Sequence, residues 1–371
     1  MIQKPDPTQE TLVLNMGPQH PSTHGVLRVV LHCDGEYVLD AEPVIGYGHR
    51  MHELIGEVRD HRGFYANVGR MDYGGALSFG HGHILAVERM LPDLEVPERA
   101  EYLRVITTEL NRVASHLLWF GAFLLDLGAF TPILYSFDDR EAILDLLEHV
   151  TGARLTFSYM RVGGVAADVD KDWCDGVIAF VKRMRERVPM YHKLVTGNII
   201  FRKRVEDVGH ITRDMALKYG CTGPVIRGSG IPYDVRRSEP YSIYPELDFE
   251  IPTSERCDCM GRYNVRWEEI EQSLRIIEQA ITKLPEGPVM ADKVPKVIKA
   301  KGEVYQAVEA ARGSLGYYIA CDGTTSPYRM KIRVPSYSNL SILKELTRGI
   351  LLSDLVAVMG SFDLVIPEID R

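Results

Sequence analysis

Long apolar runs are missing from this sequence. The longest, residues 117–125, falls far short of the roughly 20 residues that a membrane-spanning helix needs, so no bilayer-crossing segment is expected. The opening residues, 1–5, carry no apolar signal-peptide core, which points to a chain soluble by itself. Cysteine is sparse and scattered over Cys33, Cys174, Cys221, Cys257, Cys259 and Cys321. Only Cys257 and Cys259 are close, at a spacing that makes neither a usual zinc knuckle nor a disulfide framework, so a reduced cytoplasmic setting is expected. Positive charge is also short. Lys and Arg total 43 against 51 Asp and Glu, and with a net charge of −8 and no basic face a nucleic-acid partner is not indicated. The one basic run, residues 182–187, reads as a solvated helix face or a docking edge. Phosphate-cradling glycine loops are absent too: Arg161-Val162-Gly163-Gly164-Val165 lacks the required spacing, so neither a nucleotide nor an NAD site is expected.

What is present is a 371-residue chain, 45% hydrophobic, able to bury a large core in two or three domains. One loop stands out, Gly17-Pro18-Gln19-His20-Pro21-Ser22-Thr23-His24-Gly25. Residues 11–15 before it and 26–32 after it read as strands, and Asp34-Gly35 signals a hairpin into a third strand at 37–45. Two prolines fix φ, and Ser22 and Thr23 can satisfy the turn's own backbone groups. The residues alone allow two readings: a punctuated turn whose histidines bond to backbone, or a rigid mount for functional histidines. Residues 49–73 then gather His49, His52, His61, Arg50, Arg59, Arg62 and Arg70, where function is expected to concentrate.

A long amphipathic helix follows, its seam formed by Leu103, Ile106, Leu110, Val113, Leu117, Phe120 and Leu124, started by Pro97 and stopped by Gly128. Glu109, Arg112 and His116 share one face of it and read as a buried ion pair with a core histidine. Asp126 follows nine apolar residues, so it needs a partner or a raised pKa. Further helices are expected at 138–150, 171–188 (stopped by Pro189) and 266–284, with 220–252 as an extended, partner-facing connection. Beyond a boundary at 285–288, strands are expected at 303–308, 316–321 and 329–334, and helices at 340–348 and 353–359. The class is α+β: an N-terminal antiparallel β module (1–70), a helical bundle (71–288) and a small C-terminal α+β part (289–371).

Read together, the loop through Arg28, Ile45-Gly46-Tyr47-Gly48-His49-Arg50, Arg70-Met71-Asp72-Tyr73, Glu109-Leu110-Asn111-Arg112 with Ser115-His116, Leu125-Asp126-Leu127-Gly128-Ala129, Arg161 to Val165 and the closing Asp370-Arg371 resemble, in order, the blocks of the D subunit family of the proton-pumping NADH:quinone oxidoreductase, respiratory complex I. The resemblance covers nearly the whole chain. It implies a fold like that of hydrogenase large subunits and a quinone-reducing site formed with a neighbouring iron–sulfur protein, the complex's B subunit, beside its C subunit and a membrane subunit. It implies too a peripheral place on the cytoplasmic side of the inner membrane, and coupling to proton translocation. Residue by residue, His24 and Tyr73 match the quinone headgroup pair, Asp126 the acid behind that histidine, Arg50 the arginine beside the neighbour's terminal cluster, and Arg112 and His116 supporting polar positions. Quinone is then the substrate, and no metal or nucleotide is bound in this chain.

The related nickel–iron hydrogenases bind metal through two Cys-x-x-Cys pairs, which would lie over Asp72 and Gly75 and over Val365 and Glu368; no cysteine stands at any of them, so a nickel site cannot form. The missing cysteines argue against the first alternative, the large subunit of a membrane-bound hydrogenase; the second is a non-catalytic scaffold. Three departures from many relatives stand out: Met51-His52 after Arg50, Ala122 one turn before Asp126, and Thr156 where a histidine near the cluster is common.

Overall fold

The computed structural model describes residues 11–19 and 25–371. His24, with His20, lies outside the described residues. The molecule is α+β. Three strands, β1 (Leu12–Met16), β2 (Arg28–Asp34) and β3 (Tyr37–Val44), form an antiparallel sheet in the order β1-β2-β3. Met16 pairs with Val29, so both ends of the 17–25 loop are held by the β1–β2 ladder. Alternate β2 residues Val29, Leu31 and Cys33 are buried, as a half-buried strand requires.

Two short helices, α1 (His52–Val58) and α2 (His61–Val68), lead to α3 (Ala76–Glu88) and the 29-residue α4 (Glu98–Asp126). Pro97 starts α4 as expected, but α4 is buried on nearly every side, charged residues included, so it is a central spine and not a surface helix with one seam. It packs against α5 (Thr131–Thr151) and, beyond the short strands β4 (Met160–Arg161) and β5 (Gly164–Val165) and helix α6 (Lys171–Tyr191), against α11 (Cys259–Thr282).

Several bounds differ from expectation for identifiable reasons. α5 starts at Thr131, because Pro132 in its first turn has the φ a helix needs; Asp138 is thus interior and pairs with Arg183 and Arg187. α6 runs through Pro189 to Tyr191, whose hydroxyl donates to buried Asp139 at 2.6 Å, and then passes into a π turn, His192–Thr196. α11 begins seven residues before the expected 266, where Asp258 accepts from the Gly261 N–H at 2.7 Å.

The largest correction concerns 220–252. Between α6 and α11 lie α7 (Ile199–Val205), α8 (Arg213–Lys218), α9 (Pro224–Arg227) and α10 (Val235–Ser238), and residues 221–229 are all buried. Residues 221–229 and 234–236 of the expected extended connection are interior structure, because Arg227, Asp234 and Arg236 carry charges that pair inside the molecule, while 237–240 stay exposed.

A second antiparallel sheet, β6 (Lys301–Ala310), β7 (Gly313–Asp322) and β8 (Arg329–Arg333), lies against α3. The β6–β7 hairpin closes at Ala310↔Gly313, leaving Arg312 at its tip. The helix expected at 340–348 is divided into α12 (Pro335–Leu340) and α13 (Leu343–Leu346), and α14 (Leu352–Phe362) and α15 (Ile366–Asp370) close the fold.

Candidate active site

Four motif segments distant in sequence converge on α14 and α15. Gly25, the far end of the histidine loop, lies against Ile366: a side chain begun there would sit 3.6 Å from the Ile366 Cγ1. Asp126 is half-buried at the end of α4, its Oδ2 3.8 Å from where a side chain on Gly360 would begin. The Asp370 carboxylate accepts from the Gly46 and Gly48 N–H groups, each at 2.7 Å, and its carbonyl oxygen lies 2.6 Å from His49 Nδ1. The closing residues thereby clamp the segment that carries Arg50.

Tyr73 is the fourth. It is 37% exposed, at a turn whose geometry is over-determined. Asp72 is fully buried; its Oδ1 accepts from the N–H groups of Gly74 and Gly75, both at 2.9 Å, and its Oδ2 from Arg312 at 2.8 Å. From α4, Asn111 accepts from Leu77 N–H at 3.1 Å and donates to the Gly74 carbonyl at 3.0 Å. Arg312 also donates to Ser115 Oγ at 3.1 Å, the Asp363 carbonyl at 3.1 Å and Asp363 Oδ1 at 3.3 Å. The role of the Glu109-to-His116 block is thus partly mechanical: Asn111 and Ser115 fix the turn that presents the Tyr73 hydroxyl. Burial raises the Tyr73 pKa, Arg312 works against that rise, and Asp72 and Asp363 add to it, so the hydroxyl keeps its proton at neutral pH.

Asp72 and Glu368 meet in space around a guanidinium. Arg312 sits between Asp72 and Asp363 where a cation belongs, and a buried arginine that burial disfavours but carboxylates sustain stays charged. Glu368 is buried, with Oε1 accepting from the Ser336 N–H at 2.8 Å. Its carboxyl is pushed up to about 8, by burial first and then by Asp72. Arg312 was not singled out by the sequence, since it lies in no block of unusual composition, and Glu368 entered only as a position where a hydrogenase-type cysteine is missing.

Arg112 and His116 lie deeper. Arg112 donates to Glu109 at 3.0 Å and to the Glu309 carbonyl at 2.6 Å; His116 Nε2 lies 3.0 Å from Glu269. Glu109 also receives Arg236, Tyr244 at 2.6 Å and Ser273 at 2.7 Å, while Arg227 bridges Glu269 and Glu309. Burial opposes ionisation of Glu109, but Arg112 and Arg236 hold its carboxyl well below the usual range. Burial keeps His116 neutral, Glu269 opposing it only in part. These residues form an interior ionic lattice behind the Tyr73 turn, the buried ion pair and core histidine expected from spacing.

Arg50 is exposed, and with His49 and Arg70 it helps hold buried His52 neutral, its pKa lowered to about 4 chiefly by burial. Thr156 adopts a left-handed φ of 51°, unusual for a β-branched residue, and its backbone packs where a side chain on Gly69 would begin, next to Arg70. Among the described residues no group of three or more His, Cys, Asp or Glu could hold a metal ion, and no helix is long and apolar enough to cross a membrane.

Residues 126–301 and 294–371 match the family described as the respiratory-chain NADH dehydrogenase 49 Kd subunit. The chain is 55% identical over 372 residues to the D subunit of the NADH-quinone oxidoreductase of Desulfotalea psychrophila, covering 100% of this chain and 99% of that one. It is 56% identical to that of Syntrophobacter fumaroxidans, covering 98% of each, and 52% identical to that of Geobacillus kaustophilus, covering 97% of this chain and 98% of the other. The chain belongs to the family of the NADH-quinone oxidoreductase D subunit, the 49 Kd subunit of the respiratory-chain dehydrogenase, and is a subunit of an oxidoreductase complex.

Proposed function

We propose that this chain forms a quinone-reducing site together with a neighbouring iron–sulfur protein, the B subunit in the family's naming, in a complex that also holds a C subunit and a membrane subunit and couples the reaction to proton translocation. The complex would lie on the cytoplasmic side of the inner membrane with this subunit peripheral. The observation that carries the reading is the convergence of the Gly25 end of the histidine loop, the Tyr73 turn and Asp126 on α14 and α15. Reduction of a quinone takes two electrons and two protons. Tyr73, protonated and partly exposed, donates a hydrogen bond and then a proton to one quinone oxygen; His24 serves the other reactive position, with Asp126 behind it. Electrons arrive from the neighbouring subunit's cluster past Arg50. Arg112 and His116 support the turn from behind.

The test is Tyr73→Phe in the assembled complex. The ring and its packing stay while one donor is lost, so quinone reduction should weaken by the order of the 1–3 kcal/mol that an unmade buried hydrogen bond costs. His24→Ala should impair it as well and shift its pH profile. In both, electron flow from the upstream donor to ferricyanide should persist. Normal quinone reduction in assembled complexes carrying both substitutions would make the loop structural and the chain a scaffold; stoichiometric nickel would point instead to a hydrogenase. With Thr156 at the position of the cluster-proximal histidine, a group titrating near neutral pH is missing there. The cluster midpoint should then change with pH by much less than the one-proton slope of about 59 mV per unit.

A further inference from the structure

We propose that Glu368 is a proton-holding positioning residue of this site, one that recharges Tyr73 across the Asp72–Arg312 pair and is itself refilled from the cleft at His61 and Tyr65 by way of His83 and Tyr317. The proposal rests on the quinone-site reading above. Three carboxylates, Asp72, Asp363 and Glu368, share the surroundings of Arg312, with Arg266 the second cation acting on Asp363. Two positive charges against three acids leave one proton to be held in the buried state, where an unpaired carboxylate is costly. Asp72 is fully engaged, accepting from two N–H groups and the guanidinium. Asp363 Oδ2 and Glu368 Oε2 both lack a hydrogen-bond partner among the described residues, but Asp363 receives the Arg312 guanidinium on Oδ1 and has Arg266 acting on it, whereas Glu368 has one N–H bond, from Ser336, and no guanidinium bond, so Glu368 is the acid left to carry the proton. Its raised pKa agrees.

The groups that face Glu368 are Asp72 from the turn before α3, Arg312 from the β6–β7 tip, Tyr317 from β7 and Ser336 from α12; Asp370 on its own helix turns away to Gly46 and Gly48. Tyr317 leads outward. Its hydroxyl and both ring nitrogens of His83 are buried with no hydrogen-bond partner among the described residues. The His83 ring lies 5.8 Å from that of Tyr317 and 6.4 Å from that of His61, centroid to centroid. His61 and Tyr65 line a cleft of about 840 Å³. Buried polar atoms left unpaired by protein are satisfied by ordered water, and a file of them from a cleft to a buried acid is what a proton route requires.

As quinone takes two electrons from the neighbouring subunit's iron–sulfur cluster, the Tyr73 O–H bond breaks and its proton joins a quinone oxygen. The Glu368 carboxyl O–H then breaks, its proton passes by ordered water around the Asp72–Arg312 pair, which keeps its charges, and the phenolate O–H re-forms. The Glu368 carboxylate takes its next proton from water of the cleft through Tyr317 and His83.

The decisive variant is Glu368→Gln in the assembled complex, because glutamine copies the shape and neutrality of the protonated acid but releases no proton. With rates normalised to donor-to-ferricyanide flow in the same preparation, kcat for quinone reduction should fall by about 10²-fold, the size of a lost acid–base contribution, with KM for quinone unchanged. The alkaline limb of the wild-type profile should vanish, and Glu368→Asp should recover part of kcat with that limb shifted. Tyr317→Phe should lower kcat and enlarge the solvent deuterium isotope effect. Wild-type kcat and pH profile in Glu368→Gln would overturn the proposal; if that variant does not assemble, an unshifted limb in Glu368→Asp would overturn it instead. Impairment of Tyr73→Phe alone leaves the quinone site standing and removes Glu368, whereas normal rates in both variants remove the quinone reading itself.

Discussion

Arg312 is the residue on which the Tyr73 turn depends, since one guanidinium holds Asp72, Ser115 and Asp363 from three separate segments. Its fork cannot be copied by a point charge. Replacing it with Met strands buried carboxylates, so Arg312→Met should cost about 3–5 kcal/mol in urea unfolding, with Arg312→Lys intermediate. Glu368 makes a prediction of opposite character. Its folded value, about 8, lies above its usual 4.5, so the folded chain holds a proton that the unfolded chain has lost between those pH values. The stability it permits is complete below about pH 4.5 and declines as pH rises towards 8. Glu368→Gln has nothing to ionise. Thermal unfolding of variant and wild type should therefore coincide near pH 4, and the variant should be the more stable at pH 8 by a few kcal/mol, since a tenfold change in proton affinity is worth about 1.4 kcal/mol. A variant no more stable at pH 8 would mean that Glu368 ionises freely.

At the scale of elements, the placement of Arg312 depends on a backbone crossing. Gly223, at the start of α9, has φ +66°, and a side chain begun there would meet the Arg312 carbonyl oxygen at 2.3 Å; one begun on Gly313, at φ +130°, would meet the Gly223 nitrogen at 2.6 Å. The β6–β7 tip can reach the Tyr73 turn only because both chains are bare here. Gly223→Ala should cost about 2–5 kcal/mol, the sum of left-handed strain and overpacking, and should lower quinone reduction with it, because Arg312 is displaced. Helix α4 shows a related economy. One face clamps the Tyr73 turn through Asn111 and Ser115 while Glu109, Arg112 and His116 lock α10, α11 and β6 together. A helix buried on all sides by both apolar and ionic contacts cannot be told from an amphipathic one by its seam alone.

Across the whole molecule, the interior lattice sets Arg112, Arg227 and Arg236 against Glu109, Asp234, Glu269 and Glu309, three cations to four carboxylates. Burial works against Glu109, Asp234 and Glu269, yet their arginines hold all three below the usual carboxylate range, Glu109 at about 2 from 4.5. Groups depressed in the folded state stabilise above the unfolded value and lose that contribution as pH falls through the folded one. Acid unfolding should accordingly set in between about pH 4.5 and 2 and steepen there, and Glu109→Gln should flatten it. A midpoint unmoved in Glu109→Gln would exclude the lattice as the acid-sensitive part.

The amino-acid sequence by itself determined the local grammar: the strands of both three-stranded sheets from alternation, the β2–β3 hairpin from Asp34-Gly35, α4 from its period and its Pro97 start, and an order of motif blocks that shows the family. It could not reveal that, within 220–252, residues 221–229 and 234–236 are interior. Gly, Pro, Tyr and Arg there look like a surface connection until Arg227, Asp234 and Arg236 find partners on α4, α11 and β6, and partners at such separations leave no periodic trace. For the same reason Arg312 and the buried surroundings of Glu368 were invisible. Their surroundings come from α3, α4, α12, α14 and both sides of a hairpin tip, and only the tertiary structure decided which of many charged residues would be withdrawn from water and paired there, because desolvation acts on a position in space and not on a position in the chain.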